Sequence, residues 1–162
     1  MVTSKNFWLT LIALLLPLAS LPADSLDIQL NTYLRALRQH RITAFPTQGQ
    51  FLQVNDTVRP FRRHSGGITL ITQGNELSQQ ITEIRICILN PLDRLQRQRW
   101  LNILIASLAI FSREESDIQR MLAIQRTLEQ GSFQLNHLLL TSGKESCGQY
   151  IHIESAKSSS SR

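Results

Sequence analysis

The sequence predicts an α+β domain: an antiparallel sheet of about five to six strands with helices packed on one face. Three observations carry this. Residues 81–89 alternate with a strand's two-residue period, and residues 92–111 directly after them recur at helical spacing. The flanking segments come as runs of short strands set off by turn residues, not as strands alternating with helices. The expected order is helix, four strands, two helices, two strands.

Residues 1–23 read as a secretory signal. Lys5 and the amino terminus give a positive start, residues 7–16 an apolar run, Pro17 a break, and Leu21-Pro22-Ala23 a cleavage site. The alternative is an uncleaved membrane anchor over residues 7–21. Either way the body of the chain lies across the membrane from the cytoplasm, periplasmic or secreted if cleavage occurs. Residues 24–155 are expected to form a single domain. Residues 156–162, with consecutive serines, are expected to form a disordered tail.

Within the domain, Ser25 offers an N-cap to an amphipathic helix in which Leu26, Leu30, Tyr33, Leu34 and Leu37 face inward and Arg35 and Arg38 outward. Pro46 and Gly49 break the connector that follows. Residues 50–55, 58–64 and 68–72 are three short strands, separated by Asn55-Asp56-Thr57 (also a glycosylation sequon) and Ser65-Gly66-Gly67. Pro60 lacks a ladder donor and argues that the second strand lies at a sheet edge.

In the fourth strand Ile84, Ile86 and Ile88 share one face, and Glu83, Arg85 and Cys87 the other. Asn90-Pro91 reads as N-cap and first helical residue, with Asp93 in the first turn. The first half of this helix shows a Leu92, Leu95, Ile103 stripe that includes Arg99. From residue 100 to 111 it is apolar on all sides, which predicts burial. That apolar stretch falls short of the roughly 20 residues a membrane span needs. Ser112 and Glu115 fit a capping box opening a further helix. Its inner side is expected to carry Ile118, Met121, Leu122, Gln125 and Leu128, and Gly131 to end it. Residues 133–141 and 147–153 complete the strands, with Ser142-Gly143 as a turn.

The formal charge is +5, and +4 once Lys5 leaves with residues 1–23. The cations are mostly Arg, whose planar fork suits carboxylate and phosphate. A charge this modest permits a polyanion partner without demanding one. Cys87 and Cys147 form no CxxC pair, which excludes a thioredoxin-like motif. In an exported chain they are candidates for one disulfide.

Candidate binding residues concentrate in Arg59-Pro-Phe-Arg-Arg-His64, where Arg59, Arg62, Arg63 and His64 could hold an anion or a partner. The competing account is a charged edge that blocks strand-to-strand aggregation. Arg62 and Arg63 point to opposite faces of a strand, so the two cannot grip one anion together without a bulge. Arg99 joins the set as a snorkelling side chain at the core margin or a buried cation awaiting an acidic group. His64-Ser65-Gly66-Gly67 is not a nucleophile elbow. Neither a Walker A pattern nor GxGxxG occurs. His40, His64, His137 and His152 are scattered, with a His137–His152 approach the one spacing that a terminal hairpin allows. No catalytic residue, metal ligand or cofactor is therefore assigned.

The function expected is a small exported binding module whose partner is another envelope or secreted protein. An enzyme, hydrolase-like, with a site assembled from distant Arg99, His64 and His137 is the alternative. A third reading is polyanion or anionic-membrane binding through the Arg patch. Nucleic acid is not expected as a partner on this charge, and membrane contact is expected only through an uncleaved amino-terminal segment.

Overall fold

The computed structural model describes residues 26–156. The expected signal or anchor, the Ser25 cap and most of the serine tail lie outside the described residues. The fold is α+β, with three helices, a six-stranded antiparallel sheet and a separate two-stranded one. Helix α1 is Leu30–Gln39. Strands β1 Leu52–Val54 and β2 Thr57–Arg59 form the small hairpin. The main sheet takes β3 Phe61–Ser65, β4 Ile68–Gly74 and β5 Ile81–Ile88 before the helices. Helices α2 Arg94–Phe111 and α3 Asp117–Gln130 follow. Strands β6 Ser132–Leu135, β7 Leu138–Glu145 and β8 Gly148–Ser155 close the sheet. Its spatial order is β3-β4-β5-β8-β7-β6, two three-stranded meanders joined where β5 meets β8.

The alternation in β5 does what its pattern predicts. Ile84, Ile86 and Ile88 are fully buried beneath the helices, with Leu70 of β4 and Ile151 and Ile153 of β8 alongside. Trp100 donates its indole N–H to the Ile86 carbonyl, 2.9 Å away, and so fixes α2 on the sheet. Tyr33 of α1 meets Ser107 of α2 at 2.8 Å. Ser107 Oγ donates to the Ile103 carbonyl, so the Tyr33 hydroxyl is the donor in that pair. Burial pushes the Tyr33 phenol well above its ordinary pKa. No helix among the described residues is long and apolar enough to cross a membrane.

Several local expectations are corrected. Asn90-Pro91 does not cap α2: the Asn90 side chain accepts from Leu92 N–H in a turn, and Asp93 is the N-cap, accepting from Gln96 N–H at 2.8 Å. Leu92 and Leu95 are 92% and 61% exposed, because α2 enters the core only from Trp100 onward. The capping box lies four residues later than expected, at Ser116 and Gln119. Ser112 instead terminates α2. Leu26 precedes α1, donating its N–H to the Ile81 carbonyl as extended chain.

Pro60 splits the expected second strand into β2 and β3, and β1 with β2 leaves the main sheet. Asn55 and Asp56 both take positive φ in the β1–β2 turn, as a two-residue hairpin of primed type requires. The last two strands are three, because Asn136 adopts φ 53° and turns β6 into β7. Ser142-Gly143 is strand, not turn. Gly143 sits opposite Tyr150, whose ring occupies the space a side chain would need.

Helix α3 presents the opposite face to the one its apolar residues predict. Arg120, Ala123, Ile124 and Thr127 are buried, while Ile118, Met121, Leu122 and Gln125 are exposed; of the expected inner side, Leu128 packs against the core. Small side chains let α3 approach the sheet closely, and Ser142 Oγ donates directly to the Thr127 carbonyl at 2.9 Å. Gly131, at φ 84°, ends the helix as expected.

Candidate functional site

The predicted Arg-rich segment is divided: residues 61–64 lie in β3, an edge of the main sheet as Pro60 implied, and Arg59 lies in the separate hairpin. Strand alternation separates its members. Phe61 points into the core, and Arg63 follows on that side with its guanidinium 4.6 Å over the Phe61 ring. Arg62 and His64 lie on the opposite face, where His64 Nδ1 is 2.9 Å from Thr69 Oγ1. Arg59 ends β2, opposite Leu52.

Arg99 is exposed, which overturns the buried-cation reading. Its guanidinium reaches the β3–β4 turn: a Cβ at Gly66 would lie 3.2 Å from it. With Arg41, Ser65 and Asn102 it lines a hollow of about 370 Å³. None of Arg59, Arg62, Arg63 or Arg99 forms an ion pair among the described residues; Arg85 and Arg120 are the arginines that do. His137 lies far along the sheet, in the β6–β7 turn, lining a different hollow with Arg113 and Asn136. The distant-site enzyme reading thus has Arg99 and His137 in separate clefts, with His64 in neither.

The open face of the sheet holds a polar array that spacing alone did not reveal. His152 pairs in register with Arg85 and Thr141, not with His137. Its Nε2 lies 3.1 Å from Glu83 Oε2. This close approach of His152 holds the Glu83 carboxyl below its ordinary pKa, against the opposing effect of burial. Glu83, His152 and Glu154 place one ligand atom each within 4.8 Å of one another. Strand register sets Glu83 directly opposite Glu154, and His152 Nε2 reaches Glu83. Arg85 bonds Glu145 at 2.7 Å and stacks 4.8 Å over Tyr150. Beside it, Cys87 of β5 is joined to Cys147 in the β7–β8 turn, Cα–Cα 5.8 Å.

A second basic region lies on the helical side, between α1 and the corner joining α2 to α3. Arg35, His40, Arg113 and Arg120 line a cleft of about 610 Å³, together with apolar Ile28 and Ile110. Arg120 is anchored by its own turn: Nη1 bonds Asp117 at 2.7 Å and Nη2 donates to the Ser112 carbonyl at 2.8 Å. Sequence reasoning placed Arg35 on an outer face but had no means of bringing residues 35, 113 and 120 together. Comparison of the chain with family models, curated proteins and solved structures gives no match.

Proposed function

We propose that this protein is an exported module that works by binding, its partner an envelope or secreted protein presenting an acidic strip to the margin formed by β3 and Arg99. The observation that carries the reading is the set of exposed guanidiniums at Arg59, Arg62, Arg63 and Arg99 that no described carboxylate neutralises. Exposed arginines spread along an edge steer and orient an acidic partner more than they tighten its grip. The Cys87–Cys147 bridge and the apolar run at residues 7–16 support export.

The test uses the full chain with a poly-glutamate peptide and, separately, heparin, in a salt titration. Binding of poly-glutamate that weakens about tenfold in Arg62→Glu/Arg63→Glu is the expected result. Unchanged binding in that variant refutes the edge as the contact surface. Equal, steeply salt-dependent binding of heparin and poly-glutamate replaces the reading with general polyanion binding.

A further inference from the structure

We infer that the cleft between α1 and the α2–α3 corner binds a small amphiphilic oxyanion, an apolar body carrying one carboxylate or phosphate group. Four basic side chains line the cleft, and among the described residues no carboxylate does. Its volume, about 610 Å³, lies within the range of small-molecule sites.

The cations are held in different ways, and this is what makes the cleft a site. Arg120 is only 6% exposed, and its Nε has no hydrogen-bond partner among the described residues. Its acidic neighbour Asp117 is 77% exposed on its side chain, so water screens much of that countercharge. A guanidinium set in a low-dielectric wall projects its field into the adjoining cleft. Arg35 and Arg113 are exposed counterparts in the same lining. Arg35 donates Nε to the Asn31 carbonyl at 3.2 Å, and its terminal amino groups have no hydrogen-bond partner among the described residues. Arg113 makes no hydrogen bond or ion pair among the described residues, and Glu114 beside it faces the neighbouring hollow. Two exposed forked donors suit an oxyanion head. Ile28 and Ile110 offer the body of the ligand an apolar wall.

The test is calorimetry on the oxidised full chain at low salt, with hexanoate and hexyl phosphate as probes and inorganic phosphate and hexylamine as controls. One of the two acids is expected to bind, and which one identifies the head group. Arg35→Gln/Arg113→Gln is expected to weaken it by about tenfold or more, with an unchanged unfolding midpoint because both side chains are exposed. Arg62→Glu/Arg63→Glu should bind the acid normally, so this site and the β3 margin succeed or fail separately. Binding of neither acid, undiminished binding in the Arg35/Arg113 variant, or hexylamine or inorganic phosphate binding as well as the acids would each overturn the assignment.

Discussion

Cutting the Cys87–Cys147 bridge tests how much of the fold depends on a covalent link. The bridge closes a loop of 60 residues. By the chain-entropy relation, such a loop raises the free energy of the unfolded state by about 4 kcal/mol. A domain of this size is stable by roughly 5–15 kcal/mol in total, so the link is a large share. Cys147→Ser is the cleaner variant, since Cys147 lies in a turn whereas Cys87 is fully buried and a serine there would bury a hydroxyl. With a urea slope of about 2 kcal/mol/M, the unfolding midpoint should fall by about 2 M. The slope itself should rise, because the uncrosslinked denatured chain exposes more surface. The folded state should persist in water, because β5 and β8 stay in register and Arg85 still reaches Glu145 across the same interval. Reduced wild type should match the variant. A midpoint change below about 0.5 M, with an unchanged slope, would refute the argument.

Trp100→Phe should cost about 2 kcal/mol in urea unfolding, from the lost bond to the Ile86 carbonyl and the space left in the core. Gly131→Ala should cost only about 1 kcal/mol, because the added methyl meets nothing and the penalty is the positive φ alone. Glu83 has a folded pKa below its ordinary value of 4.5, so its stabilising contribution is complete above that value and drains away as pH falls through the folded one. His152→Leu should therefore flatten the acid limb of a stability–pH curve, and an unchanged limb would show that His152 is not what depresses Glu83. Tyr33→Phe should cost about 1 kcal/mol by thermal unfolding, since Ser107 keeps its own donor bond to Ile103.

What could be read from the chain was whatever short-range chemistry decides. The alternation in β5, the Pro60 edge, the Gly131 stop and the element order from β3 to α3 all rest on residues adjacent in sequence. The errors arose where two local signals competed. Ser112 and Ser116 both offer caps, and only the second has a glutamine three residues on that reaches back. Asn136-His137 carries a weaker turn signature than Ser142-Gly143, yet Gly143 is needed to make room for Tyr150. In α3, counting apolar residues favoured Ile118 and Leu122, whereas close approach to the sheet favoured Ala123 and Thr127. The Arg35–Arg113–Arg120 cleft and the Glu83–His152 pair were beyond reach because each depends on tertiary placement or strand register. The Arg59–His64 edge was legible because it lies within one segment.

The palindromic strand order has a consequence for how the chain folds. Each meander, β3-β4-β5 and β6-β7-β8, is assembled from neighbouring hairpins whose closing loops are short, and such contacts form quickly. Pairing β5 with β8 is different in kind, since it must bring together segments separated by both long helices. That docking carries the entropy of a long closure and should set the folding rate. The disulfide spans this same seam, so a chain that refolds with the link intact begins with the slow search already constrained. Oxidised protein should therefore recover its Trp100 environment faster than reduced protein, and the difference should lie in the folding limb of the chevron.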